Sequence, residues 1–355
     1  MRWSRTITVV DCHAEGESGQ VVIGGVPHIP GDSVFDKRVF LQDHQDDLRR
    51  MILFEPRGAI HHNANVIVAS NNPKAQMGYI ILESMEYPAM SGSNTMCVAT
   101  VLLETGILSM SEPTTDLILE SPAGLITVTC DCRGGKVERV RFVNQAAFCY
   151  HLDATVHVPD VDRLIVDIVY GGMTYVMVDA AMLNLALAPS EARVLCEVGQ
   201  LIKRAAAEQI QVVHPENPEI PGITQVEFTG PLGHDGDALR ARNAVVVSPG
   251  RLDRSPCGTG TCARLAQLHA RGLIRVGEKF VHESVIGTTF ESFIVDTSSV
   301  GAYPAVVPSV AGQAWITGLY QMGMDPTDPF PRGFTVADTW LRQIDDLAPV
   351  RTAVE

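Results

Sequence analysis

Ser91-Gly92-Ser93-Asn94-Thr95 and Cys257-Gly258-Thr259-Gly260-Thr261 are the two stretches around which this chain of 355 residues is organised. Each reads hydroxyl or thiol, glycine, hydroxyl, small turn-former, threonine. Each leads into an apolar helical stretch that ends at a glycine 15 residues after the motif begins, Gly106 and Gly272. Further out stand Glu120-Ser121-Pro122-Ala123-Gly124 and Glu283-Ser284-Val285-Ile286-Gly287, two copies of E-S-x-x-G that each precede a β-rich run. Three matched landmarks in the same order predict an internal duplication, with the motif copies 166 residues apart.

Strand-like runs rich in Val, Ile and Thr fill the first 30 residues and recur at Val66-Val68, Gly78-Leu82, Leu117-Leu119, Val137-Phe142, Tyr175-Val178, Val245-Val247 and Phe293-Val295. Helical patterning is sparser: Asp43 to Leu53, the segment after Asn94, Ser190 to Gln209, the segment after Gly260, and a piece from Val336. Strands and helices mix without regular βαβ alternation, which predicts an α+β fold of two pseudo-symmetric halves with the active site in the cleft between them. The expected first half is 1–122 plus a tail from about 325 to 355; the second is 123–324. The proline-rich stretch Pro215 to Pro221 reads as a loop.

Acidic residues number 41 against 27 Lys and Arg, a net charge of −14. Such a surface repels phosphate backbones and anionic lipid, so neither nucleic acid nor a membrane is an expected partner. No apolar run approaches the ~18 residues of a membrane span, and the chain reads as cytoplasmic. The eight cysteines, Cys12, Cys97, Cys130, Cys132, Cys149, Cys196, Cys257 and Cys262, form no C-x-x-C pair, and most read as core filler. No metal site is expected: His61 and His62 are adjacent and would point apart on a strand, and His234-Asp235-Gly236-Asp237 reads as a solvated turn. The oligomeric state is left open, a homodimer included.

A glycine-rich turn entering a helix leaves its first amides unpaired, where the macrodipole also favours negative charge. This makes an anion site. A thiol at its mouth is expected to have a lowered pKa and to serve as a base, which singles out Cys257 over Cys262, one turn further in. If the halves face each other, two helix N-termini converge on one cleft with Cys257 and Ser91 on opposite sides. Ordinary helix starts, capped by Ser91 and Thr259, are the alternative for either copy taken alone.

The segment Asp253-Arg254-Ser255-Pro256-Cys257-Gly258-Thr259-Gly260-Thr261 resembles the second catalytic motif of the proline racemase family. Met90 to Thr95 resembles its first, and Asp11-Cys12-His13-Ala14-Glu15-Gly16-Glu17 and Phe54-Glu55-Pro56-Arg57-Gly58 fit as well. The resemblance runs from about residue 7 to Phe334. It implies a diaminopimelate-epimerase-like fold, catalysis without cofactor, and a small substrate such as hydroxyproline. It also implies that Cys257 is an acid/base, that the amides of Gly92, Ser93, Gly258 and Thr259 hold the carboxylate, and that Asp253 receives the ring ammonium. His13 and His234 are not assigned.

Racemases and epimerases of the family usually carry cysteine where this chain has Ser91 and histidine where it has Ser93. Inversion at Cα needs an acid and a base on opposite faces, and a serine hydroxyl is a far weaker acid than a thiol. In trans-3-hydroxy-L-proline the Cα hydrogen and the hydroxyl share one ring face, so one thiol can take the proton and return it to the leaving hydroxyl. The Ser91/Cys257 pair therefore points to dehydration to Δ1-pyrroline-2-carboxylate, with 4-hydroxyproline 2-epimerisation as the alternative. Two other classes compete with these readings. Gly258 to Ala263 also fits the dinucleotide pattern G-x-G-x-x-A, with Glu278 about twenty residues on, but the loop from Pro249 to Pro256 separates it from the strand before it. A binding protein without catalysis is disfavoured by Cys257 standing beside Asp253.

Overall fold

The computed structural model describes residues 3–159, 161–220, 222–336 and 338–339. The first part of the chain forms β1 (Arg5–Ala14), β2 (Glu17–Ser18), β3 (Gln20–Gly24), α1 (Val34–His44), α2 (Asp47–Leu53), β4 (Ala64–Val68), β5 (Met77–Leu82), α3 (Gly92–Glu104), β6 (Thr114–Ser121), β7 (Gly124–Arg133) and β8 (Lys136–Val143). Then follow β9 (Ala147–Val158), β10 (Asp162–Tyr170), β11 (Thr174–Asp179), α4 (Ala192–Gln209), β12 (Gln225–Thr229), β13 (Gly233–Asp235) and β14 (Ala238–Val247). The last elements are β15 (Arg251–Leu252), α5 (Gly258–Ala270), β16 (Lys279–Glu283), β17 (Thr289–Val300), β18 (Tyr303–Gly312) and β19 (Ala314–Met324).

Strand pairing repeats. From β1 through β3, β4, β5, β6 and β7 to β8 the neighbours are antiparallel, parallel, antiparallel, parallel, antiparallel, antiparallel. The series β10, β11, β12, β14, β16, β17, β18 runs through the same six relations in the same order. The predicted α+β architecture of two related halves is what the structure shows. β19 adds to β1 and β9 adds to β10, both antiparallel. The first half, so paired, is β1 to β8 with β19, and the second β9 to β18. We accordingly place the change-over between β8 and β9, whereas the expected boundary at 122 and 123 cuts the β6–β7 hairpin. β18 also pairs with β9, closing a ring in the second half, and with β8, joining the halves.

α3 packs on β1, β8 and β19, and α5 on β9, β10 and β18. In α3 every residue from Gly92 to Leu103 is buried, and in α5 every residue from Gly258 to Leu268. A helix enclosed by strands has no solvent face, so its sequence carries no amphipathic stripe. One apolar cluster runs through both helices, while α4 and the α1–α2 pair cover separate clusters on the outer faces. Both central helices end alike: Gly106 and Gly272 adopt φ of 73° and 70°, left-handed conformations that glycine takes without a Cβ penalty. The E-S-x-x-G copies are the β6–β7 and β16–β17 hairpins. In each the serine Oγ accepts from the amide two residues on, Ala123 or Ile286.

The helix expected over Asp43 to Leu53 is two helices. The break falls at Gln45, whose φ of −140° leaves the helical region; Asp46 then opens the second helix with its carboxylate bonded to Arg49 and the Tyr87 hydroxyl, and α1 begins earlier, at a capping box between Ser33 and Asp36. The helix expected from Val336 lies outside the described residues. His61 and His62 do not point apart on a strand: they lie in the turn before β4, with rings in edge contact at 4.6 Å. Cys130 and Cys132 are buried in β7, in keeping with their reading as core filler. No helix among the described residues is long and apolar enough to cross a membrane.

Candidate active site

The N-termini of α3 and α5 meet. A Cβ placed on Gly258 would lie 2.6 Å from the Gly92 Cα, and one on Gly92 2.8 Å from the Gly258 Cα and 2.7 Å from the Phe142 ring. Glycine at both positions is thus a packing requirement between the halves. Ser91, Ser93, Asp253, Cys257 and Thr259 line one cleft at this junction. The first helical bonds run from Thr95 N to Ser91 O and from Thr261 N to Cys257 O. The amides of Gly92 and Ser93, and of Gly258 and Thr259, precede the ladder and have no helical acceptor.

Cys257 occupies the N-cap of α5 at φ 63°, ψ 114°, a region costly for a residue with a Cβ. Its backbone is held by its neighbours: Cys257 N donates to Ser255 Oγ at 3.0 Å, and Ser255 N and Oγ donate to Asp253 Oδ1 at 2.8 and 2.9 Å. The sulfur takes the role expected of Thr259, accepting from Gly260 N at 3.4 Å. The Tyr175 hydroxyl lies 3.3 Å from Sγ and 2.6 Å from Thr259 Oγ1. The second glycine of the motif has its own reason: a Cβ on Gly260 would sit 2.8 Å from a carboxylate oxygen of the buried Glu227.

The expectation of a lowered thiol pKa is overturned. Burial pushes the Cys257 thiol well above its usual range, and the nearby Asp253 carboxylate adds to the rise, against the smaller opposing bonds from Tyr175 and Gly260. The helix dipole acts within about one turn, but loss of hydration acts on the whole ion. Cys262 is also buried, and its thiol is pushed up to about 12 by desolvation.

Ser91 is the N-cap of α3 without a side-chain bond to its own helix amides. Its Oγ instead accepts from Asn94 Nδ2 at 2.9 Å, and Asn94, fully buried, accepts from Asn65 Nδ2 at 2.7 Å. The serine oxygen is therefore supplied with a donor, and its hydroxyl also lies 3.5 Å from Ser93 Oγ, where either oxygen can donate. Asn94 stands where the other copy has Gly260, so the two motifs diverge at the position that decides what the first residue can do.

Five polar residues to which the motif reading gave no role also line the cleft. Glu17 and Arg251 form a buried ion pair at 2.6 Å, and Asn63 bonds both partners at 2.8 and 2.9 Å. Glu17 also accepts from Arg254 N, which fixes the loop that carries Asp253. Glu83 and Gln225 enter from the ends of β5 and β12. Glu17 stands inside the quoted N-terminal signature, and Arg251 is two residues before Asp253, so both had a local signal; Glu83 and Gln225 had none. Burial and the Glu17 charge raise the Asp253 pKa. Its Oδ2 receives no bond among the described residues.

Residues 9–335 match the sequence model of the proline racemase family. A hydroxyproline epimerase from Agrobacterium vitis, solved with bound trans-4-hydroxy-L-proline, is 39% identical over 97% of this chain and 99% of its own, with a TM-score of 0.91. A probable proline racemase from Agrobacterium radiobacter, solved with carbonate, is 40% identical over 96% and 99%, with a TM-score of 0.90. A phenazine biosynthesis protein from Bacillus anthracis shares the fold at 13% identity, covering 90% of this chain and 99% of its own, with a TM-score of 0.56. With a match over nearly the whole chain and two helix N-termini abutting at Gly92 and Gly258, this protein belongs to the proline racemase family.

Proposed function

We propose that the protein inverts the α-carbon of a hydroxylated proline, taking trans-4-hydroxy-L-proline to cis-4-hydroxy-D-proline. The observation that carries this reading is the placement of Cys257 and Ser91 at two abutting helix N-termini, with Asn94 donating to the serine oxygen. The amides of Gly92, Ser93, Gly258 and Thr259 hold the substrate carboxylate, and Asp253 accepts from the ring ammonium. Pairing with the ammonium offsets the Asp253 charge that holds the thiol up, so substrate binding itself favours the thiolate. Cys257 then takes the Cα proton, and the charge moves onto the carboxylate held by the amides. Ser91 returns a proton to the other face. The alkoxide left on Ser91 accepts from Asn94 Nδ2 and sits at a positive helix end, which answers the objection that serine is too weak an acid. Proton exchange with water restores Ser91 and Cys257.

Dehydration of trans-3-hydroxy-L-proline is the second reading, favoured by the presence of one thiol and one hydroxyl rather than two thiols at the motif positions. Incubation with both substrates in heavy water, followed by NMR, separates the two. Inversion of the trans-4 compound with deuterium at Cα is the expected result. Loss of the trans-3 compound to Δ1-pyrroline-2-carboxylate, with the trans-4 compound untouched, would replace the first reading by the second. No Cα exchange in either would overturn both.

A further inference from the structure

We infer that Gln225 and Glu83 form the subsite that recognises the ring hydroxyl of the substrate. The inference rests on the reading above, that the substrate is a hydroxylated cyclic imino acid. Gln225, the first residue of β12, is 3% exposed and lines the cleft together with Ser91 and Cys257. Its Nε2 donates to Glu86 Oε1 at 3.2 Å, which fixes the amide so that Oε1 is the free end. That Oε1 is buried and has no donor among the described residues. A buried acceptor left unpaired costs about 1–3 kcal/mol, so such an atom in a cleft wall points to a donor that arrives with the ligand.

Glu83 supplies the other half. It is 9% exposed, follows the last residue of β5, and its carboxyl receives no hydrogen bond among the described residues. Its position is rigid: Glu83 N donates to Glu86 O at 2.9 Å, and the buried Arg49 donates to the carbonyls of Glu83 and Ser84. Glu86 thus ties the Glu83 turn of one half to Gln225 of the other. Burial and the adjacent Glu86 raise the Glu83 pKa, which favours the protonated carboxyl, the form able to donate.

A ring hydroxyl is both donor and acceptor. Donating to Gln225 Oε1 and accepting from the Glu83 carboxyl, it satisfies both groups at once. An unsubstituted ring satisfies neither. The amides and Asp253 already account for the carboxylate and the ammonium, which leaves this wall for the substituent.

The test is calorimetric binding of trans-4-hydroxy-L-proline and L-proline to wild type, Gln225→Leu, Gln225→Glu and Glu83→Gln, each checked for folding by thermal melting. Wild type is expected to prefer the hydroxylated ligand by tenfold or more. Gln225→Leu should lose about tenfold for that ligand while holding or improving its affinity for L-proline, and Gln225→Glu, which keeps an acceptor oxygen, should recover part of the preference. Glu83→Gln should lower the preference less, since it retains a donor; this variant carries the test if Gln225→Leu does not fold. Equal weakening of both ligands, or an unchanged preference, would overturn the subsite while leaving the hydroxyproline reading intact. Wild type that neither binds nor exchanges either ligand would remove the reading on which the subsite rests.

Discussion

At Cys257 two opposing effects meet on one sulfur atom. The helix N-terminus and the Tyr175 and Gly260 bonds favour the thiolate, whereas burial and Asp253 oppose it, and the second set prevails. A negative neighbour disfavours a second negative charge, so removing it should lower the thiol pKa. Asp253→Asn is therefore expected to move the pH midpoint of Cys257 alkylation downward, read by mass spectrometry of the labelled peptide, even as turnover falls with the loss of the ammonium acceptor. An unmoved midpoint would show that the Asp253 charge is not felt at the sulfur. Cys257→Ala should lower turnover by at least about 10²–10⁴, the usual worth of a general base. Cys262→Ala should leave more than a tenth of the rate and act mainly on stability, because its sulfur faces Asn144 Nδ2 in the core at 3.3 Å.

At the scale of elements, the two copies of the motif are helix starts that have been pressed together until only glycine fits between them. Gly258→Ala brings a Cβ against the backbone of Gly92, which cannot rotate away as a side chain could. It should cost about 1–3 kcal/mol of stability by overpacking and remove most activity by forcing Ser91 and Cys257 apart. Gly272→Ala is the control. It meets nothing within 4 Å and pays only for its positive φ, so a small fall in melting temperature with activity retained is expected. Similar losses of activity in the two variants would mean that the Gly92–Gly258 contact does not set the site. These elements were legible because capping and turn chemistry is local: the glycine at each helix end and the serine of each E-S-x-x-G hairpin act on residues within a few positions. α1 was not foreseen before Asp43, since its cap lies in Ser33 and Asp36, outside any apolar period.

Across the whole molecule the halves are joined by shared strands, by the α3–α5 junction and by the Glu17–Arg251 pair, in which β2 of the first half meets β15 of the second. Both partners are almost fully buried, and Asn63 bonds each of them. Deleting one member leaves an uncompensated charge in the core. Arg251→Met should thus destabilise by about 3–5 kcal/mol, a fall of roughly 4–7 °C in melting temperature for a chain of this length, and the double variant Arg251→Met with Glu17→Leu should recover part of it. A melting temperature within 2 °C or so of wild type for the single variant would show that the pair does not hold the halves together.

The sequence by itself determined the duplication, the α+β class, the helix starts at Ser91 and Cys257 and the family, because each rests on short-range chemistry repeated at equal spacing. It also placed Asp253 beside the thiol, four residues before it in a single motif. Only the tertiary structure decided the direction in which the thiol's pKa moves, since desolvation depends on everything packed around the sulfur, and only it assigned β19 to the first half through pairing with β1. It alone brought Glu83 and Gln225 to one wall of the cleft, 142 positions apart in the chain, because that neighbourhood is made by strands of different halves and leaves no periodic trace in either.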